Sequence, residues 1–489
     1  MSSNTKQVFW LSLGNLFTFG FSIISVAILS RYLPKEDYGT YKQVIYIYGT
    51  LLVIFSMGLP KAYGYFIPKV EDNQMKDVIN KISSILLLVG FVFSVVLYFG
   101  SGIIAEALKN SDLKTALKYF SLVPLFTLPT LGIENILAAL KKSHIMTLYT
   151  ILSRSLMLLC TAIPVLVFNL GYLEAIQGFV AASFISFIVA LSLKNRTTRG
   201  QKHIKSEISY REILKFSIPL LYASFWGLII SSSDQFFISR YFGSKVFAEF
   251  SNGFFEFPIV SMVISAIATI LLPVFSENIT RDGISEELKR MWNSALEKTI
   301  ILVYPLLIFL IFYAETLMIL LYGDGYTESA FYFKLRTALS FVQLIALFPL
   351  MLALGTGATK YYSRVHMFIA FSILFLEYLA IVLFNSPYVI IYVSITMRIV
   401  LVLLLMKYIA DIFNIKLIDL FPIKLQLSLV LFCSAIMLLL KFVFEKQNLD
   451  MLIELLMVGT IYVLFVLLVF KILKVDFGGI IAPLLIRKK

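Results

Sequence analysis

The sequence predicts an all-α, polytopic membrane protein: about fourteen transmembrane helices in two pseudo-symmetric six-helix lobes, then a C-terminal helix pair. Three observations predict it. The 489 residues are 59% hydrophobic and 15% charged, which leaves too little polar surface to cover a soluble fold. The apolar residues fall in runs of about 20, the length a helix needs to cross a bilayer, rather than in the alternating segments of about ten residues that build a membrane barrel. Finally, the stretch Ser30-Arg31-Tyr32-Leu33-Pro34-Lys35-Glu36-Asp37-Tyr38-Gly39-Thr40-Tyr41 returns in weakened form, from Ser239-Arg240-Tyr241-Phe242 to Phe247-Ala248-Glu249-Phe250. Each copy joins two long apolar runs, so the chain reads as two halves built alike.

In chain order the spans are read at 8–30, 42–67, 82–105, 117–140, 145–169, 172–193, 214–238, 246–275, 294–317, 331–355, 361–384, 387–409, 424–444 and 451–472. The first is too long for a signal-peptide core and is read as retained. The second carries Gly58, Pro60 and Gly64, which let a helix bend or unwind. Spans 1–6 make an N-lobe, 1–193, and a basic cytoplasmic linker follows at 194–213. Spans 7–12 make a C-lobe, 214–411, and 412–489 holds spans 13–14 and a basic tail. An even number of spans per half returns the chain to the same side, so the repeats are parallel, with their axis along the membrane normal. The connectors 194–213 and 276–293 read as amphipathic, with a short interfacial helix at Ser285–Trp292.

The 42 Lys and Arg concentrate on one side of this topology, above all in 194–215 and at Arg487-Lys488-Lys489. The positive-inside bias puts both termini in the cytoplasm. The net charge of +13 is mostly this topological signal, with attraction to the lipid bilayer's anionic headgroups as a by-product, and no nucleic acid partner is implied.

Covalent chemistry finds no support. There is no phosphate-cradling G-x-x-x-x-G-K-[ST] loop; Gly355-Thr356-Gly357-Ala358-Thr359-Lys360 has the wrong spacing. His144, His203 and His366 lack metal-ligand spacing. Cys160 and Cys433 both fall inside spans, so no disulfide framework follows. The chain is expected to be no enzyme and to need no cofactor.

Ionisable groups at membrane depth are costly and mark pathways or pairs. Glu134 with Arg154, and Glu377 with Arg398, flank the same turns and fit ion pairs. Arg31 and Arg240, the repeated arginines, fit either snorkelling anchors or substrate contacts. Lys61 has no acid nearby in sequence to neutralise it, and with Lys42 on the same span and Arg336 and Lys334 on span 10 it suggests a cationic cavity for an anionic ligand. Tyr38, Tyr41, Tyr63 and Tyr65 lie near the cations and could touch sugar rings. Asp234 and Glu256 either couple H+ or Na+ flow to rocking or pair with Arg240, Arg31 or Arg336. Glu454 is assigned nothing.

The first copy of the repeat, with its Arg, apolar residue and Tyr-Gly before span 2, resembles the first-loop pattern of the polysaccharide (Wzx-type) flippase branch of the multidrug/oligosaccharidyl-lipid/polysaccharide exporter superfamily. Ser217-Ile218-Pro219-Leu220, Asp234, Arg240-Tyr241-Phe242-Gly243 and Leu272-Pro273-Val274-Phe275-Ser276 resemble its second-lobe pattern. The resemblance implies a V-shaped pair of lobes around a cationic cavity in the bacterial inner membrane. Its cargo would be an undecaprenyl-diphosphate-linked, anionic oligosaccharide, moved outward by alternating access for O-antigen, capsule or exopolysaccharide synthesis. Lys42 and Lys61 would contact diphosphate or acidic sugars, and a polysaccharide polymerase and chain-length proteins would be partners. Many members have twelve spans, and the extra pair here is similar to the lipid II flippases. The competing expectations are an ion-coupled drug or metabolite antiporter, a lipid II flippase, and a membrane polymerase; the last typically needs a sizeable external loop.

Overall fold

In lipid, every backbone N–H and C=O must be satisfied within its own segment, and the chain answers with helices. The computed structural model describes all residues except 1–2, 141, 198–203, 259, 261, 264–278, 281–282, 285, 356–358, 415, 445–446, 448 and 473–489. The 272–276 motif, His203 and the basic C-terminal tail therefore lie outside the described residues. The helices are α1 (Ser3–Tyr32), α2 (Lys35–Ser56), α3 (Leu59–Phe66), α4 (Asp72–Ala107), α5 (Asp112–Phe120), α6 (Val123–Thr130), α7 (Ile133–Ala139), α8 (Ser143–Phe168), α9 (Tyr172–Thr197) and α10 (Tyr210–Gly253). After a two-residue antiparallel ladder, Ile279–Thr280 with Gly283–Ile284, come α11 (Glu286–Phe312), α12 (Ala314–Tyr322), α13 (Ser329–Gly355), α14 (Thr359–Phe384), α15 (Pro387–Phe413), α16 (Ile423–Phe444) and α17 (Met451–Ile472).

Among the described residues, eight helices are long and apolar enough to cross a membrane, or up to twelve if each of four bent pairs is one span. The expected fourteen are not reached among the described residues. The eighth, 246–275, runs largely through residues outside those described, and the tenth coincides with α13. The interfacial helix expected at Ser285–Trp292 is no separate element: α11 runs unbroken from Glu286, since neither Gly nor Pro interrupts the chain before Pro305.

The distribution of polarity is inverted relative to a soluble protein. Phe99 is 77% exposed and Leu431 69%, whereas Asp234 and Glu377 are buried. This is the pattern of a multi-pass membrane protein, with apolar side chains turned to lipid and charges turned inward.

The chain separates into two compact units, Met1–Ala248 and Glu249–Lys489. In the first, α1 packs on α8, α8 on α9, and α4 on α5 and α6. Its core around Leu59, Tyr63, Ile79, Ile82 and Leu86 also takes in Ile213 of α10. The linker is stitched to α4. Asp77 accepts from Ser206 N at 3.0 Å and Ser206 Oγ at 2.8 Å, and pairs with Lys81 at 2.6 Å. Lys81 in turn donates to the Ile208 carbonyl at 2.8 Å.

In the second unit α11 packs on α13 and α16, and α14 on α15. The C-terminal pair α16–α17 shares a core with α11, including Tyr304, Cys433, Met437, Val458 and Tyr462. Two hydrogen bonds fix α17: Tyr462 Oη donates to the Pro305 carbonyl at 3.0 Å, and Tyr313 Oη to Glu454 Oε1 at 2.9 Å. Glu454, unassigned from sequence, is thus a docking residue.

Candidate functional site

Span 2 is broken. α2 ends at Met57 (φ 49°) and Gly58 (φ 68°), both left-handed, and α3 restarts with Pro60 in its first turn, bent by 43°. Glycine suits the second of these positions because it has no Cβ to clash there. Lys61 follows at once, its N–H bonded to the Gly58 carbonyl at 3.0 Å and its side chain exposed. It stands at the N-terminal, electropositive end of α3, which adds to its own charge. Lys42 lies half-buried on α2 with Nζ 5.9 Å from the Tyr38 ring. Fourteen residues of helix between Lys42 and Ser56 put the two lysines about 20 Å apart or more, so they do not form one subsite.

Spans 2 and 7 touch at several points along their length. At the end carrying the repeats, Gln43 Nε2 donates to Ser239 Oγ at 2.8 Å, and Asn110 Nδ2 donates to Gln43 Oε1 at 2.6 Å and Thr40 Oγ1 at 3.0 Å. The α carbon of Gly39 abuts the Ser244 carbonyl so closely that a Cβ would overlap it. One turn further in, Tyr46 Oη donates to the Ser232 carbonyl at 3.1 Å. Mid-span, Gly58 touches Leu220. At the far end the Tyr65 ring stacks on Phe216 at 4.3 Å, with Lys69 Nζ 3.4 Å from its centroid. Beside this stack opens a cavity of about 690 Å³, lined by Lys69, Glu71, Glu207, Glu212 and Lys215.

The repeated arginines differ. Arg31 ends α1 with an exposed side chain. Arg240 donates to the Ala107 carbonyl and lies 5.6 Å from the Tyr241 ring, so it satisfies an orphan carbonyl at the C-terminus of α4. The second copy of the repeat turns at Gly243 (φ 79°), the counterpart of Pro34. Asp234, on the same helix, is buried and accepts from the Gln235 N–H at 2.8 Å.

Arg336 is not the unpaired cation expected from sequence. It is buried, and its guanidinium donates to Glu256 Oε2 at 2.8 Å and to Gln343 Oε1 at 2.7 Å. Span neighbours cannot reveal this pair, because Glu256 and Arg336 lie 80 residues apart. Of the two readings left open for Glu256, the ion pair is the one formed. Glu256 sits where α10 has ended at Gly253 and the backbone is non-helical through 257. Lys334 is exposed. Glu134 accepts from Thr150 Oγ1 at 3.2 Å, and no ion pair joins it to Arg154 among the described residues. Glu377 and Arg398 are both buried, on adjacent helices.

Residues 5–279 match a protein family described as polysaccharide biosynthesis protein. The chain belongs to that family. Among curated relatives, this family member is 24% identical over 324 residues to the succinoglycan biosynthesis transport protein ExoT of Rhizobium meliloti (strain 1021). That match covers 65% of this chain and spans 63% of the relative's length. Among solved structures it is similar to the lipid II flippase MurJ in an inward closed conformation, with a TM-score of 0.69, 15% identity, and coverage of 94% of this chain and 99% of that one. A multidrug resistance MATE family transporter of the MOP superfamily, inward-facing, gives a TM-score of 0.64 at 12% identity, covering 83% and 98%. These two likenesses show the fold. The resemblance drawn from residues 30–41 is thereby borne out for family and fold.

Proposed function

We propose that this polysaccharide biosynthesis protein is a flippase, carrying an undecaprenyl-diphosphate-linked oligosaccharide from the cytoplasmic to the outer leaflet of a bacterial inner membrane. The observation that carries the reading is Lys61, an exposed cation at the break of a membrane span, in a chain whose family serves polysaccharide biosynthesis. A cation in a low-dielectric surround binds a phosphate or acidic sugar far more strongly than one in water. The ExoT likeness supports transport as the activity. An apolar groove of about 650 Å³ between α11 and α17 supports a lipid tail on the cargo.

In this reading the lobes 1–193 and 214–411 rock by alternating access, joined by the linker 194–213, with 412–489 appended and both termini cytoplasmic. Lys61 is the principal cargo contact. Lys42 and Arg31 are secondary contacts, and Arg240 is a contact only if it leaves the Ala107 carbonyl. Asp234 is the candidate for H+ or Na+ coupling, and no cofactor takes part. A polymerase and chain-length proteins receive the product.

A second reading, lipid II as cargo, is favoured by one observation: the MurJ likeness extends over 94% of this chain. A deletion strain separates the two. Loss of this protein is expected to accumulate lipid-linked repeat units on the cytoplasmic side with peptidoglycan synthesis intact. Accumulated lipid II instead selects the second reading, and unpolymerised repeat units outside the membrane point to a polymerase.

A further inference from the structure

The Glu256–Arg336 pair has the features of an exchange site, and it lies wholly within the second unit. Its two members are unequal. The arginine side chain is 10% exposed and the glutamate 35%, so the carboxylate is the open side of the pair. Backbone constraint is unequal too. Arg336 is fixed within α13 and braced by Gln343, seven residues on along the same helix. Glu256 sits on non-helical backbone between the end of α10 at Gly253 and the next helical residue, Pro258. It can swing away without unwinding a helix. Arg336 cannot follow.

The chemistry of the fixed partner sets what can replace the carboxylate. A guanidinium is a planar fork of N–H donors that matches carboxylate and phosphate oxygens, and it stays charged at any working pH. A second guanidinium, Arg398, lies 5.5 Å from the Phe254 ring centroid, two residues from Glu256 on the same break. Two arginines thus flank the non-helical segment. Removing Glu256 takes its carboxylate from a buried guanidinium, and an arriving anion supplies the same oxygens in its place.

We propose that a phosphate or diphosphate headgroup displaces Glu256 from Arg336, so that the broken segment 254–257 is released when the anion binds and recaptured when it leaves. The assignment of that headgroup to a lipid-linked cargo rests on the flippase reading; the exchange itself does not. Arg336 is then a ligand held in reserve by an internal carboxylate, and Glu256 a built-in competitor that keeps the site selective for multiply charged anions.

The test uses full-length protein in detergent at fixed ionic strength, with inorganic pyrophosphate as the probe and calorimetric binding as the readout. Glu256→Gln removes the competitor while keeping a hydrogen-bonding side chain, and is expected to bind pyrophosphate about tenfold tighter or more than wild type. The double variant Glu256→Gln/Arg336→Gln keeps a neutral hydrogen-bonded pair and so avoids a stranded charge; it is expected to lose that gain. Equal affinity in all three, or weaker binding by Glu256→Gln, overturns the exchange. A polyprenyl diphosphate in the same micelles is expected to displace pyrophosphate from Glu256→Gln; absence of displacement overturns the assignment to a lipid-linked headgroup. Failure of wild-type protein to flip a lipid-linked saccharide, with these binding results intact, counts against the flippase reading and leaves the exchange site standing.

Discussion

Gly39, in the first copy of the repeated stretch, lies with its α carbon against the backbone carbonyl of Ser244, in the second copy. The two copies therefore meet and close one end of the seam between spans 2 and 7. A side chain at 39 meets backbone there, which retreats less easily than a side-chain tip. Overpacking of this kind costs about 1–3 kcal/mol. Gly39→Val is expected to lower the thermal midpoint of the purified protein, whereas Gly227→Ala, with open space around it, leaves it unchanged or raises it. Equal midpoints for the two variants would contradict the close approach.

Gln43 is the polar centre of the same junction, donating to Ser239 and accepting from Asn110. Gln43→Leu leaves the buried Ser239 hydroxyl without this donor, a loss of about 1–3 kcal/mol, and deprives the half-buried Asn110 of one of its two acceptors. Thermal unfolding in detergent is expected to show it as destabilised, and a melting curve identical to wild type would remove the junction's energetic role.

The linker is held to α4 through Asp77, which accepts two bonds from Ser206 and pairs with Lys81. Asp77→Ala deletes all three interactions. Limited proteolysis is expected to cut between 198 and 209 several times faster in the variant, with the membrane helices still protected. Unchanged cleavage would show the linker to be held some other way.

Docking of the C-terminal helix pair is expected to depend on Tyr313 and Glu454. A double-mutant cycle with Tyr313→Phe and Glu454→Gln is expected to give a coupling energy of about 1 kcal/mol. Strict additivity of the two single changes would mean that the bond contributes nothing.

Much of the fold was legible because the bilayer restricts the options so strongly. Apolar runs of sufficient length became helices, and Met57–Gly58 broke span 2 where Gly58 and Pro60 stood. The repeat located both turns, at Leu33–Pro34 and at Gly243. The candidate site was less legible, because charge partners are set by helix packing rather than by sequence distance. Arg336 looked alone until α13 met the break after Gly253. Glu134 looked paired with Arg154 across a turn, yet it takes a hydroxyl from Thr150. Gln43 stands just past the first copy of the repeat, but Asn110 lies 67 residues further on, so the sequence does not join them. Among the described residues the span count is eight, or up to twelve when each bent pair is one span, because bent pairs break what the apolar runs read as single helices.

Under the proposed function, Lys61 faces an anionic, lipid-linked cargo on its way across the membrane. The direct measurement is reconstitution of the full-length protein in proteoliposomes, following movement of a labelled polyprenyl-diphosphate oligosaccharide between leaflets, with wild type compared against Lys61→Glu. Wild type is expected to accelerate translocation, and Lys61→Glu to abolish most of that acceleration at equal protein abundance and equal thermal stability. Translocation by Lys61→Glu at the wild-type rate would contradict the account.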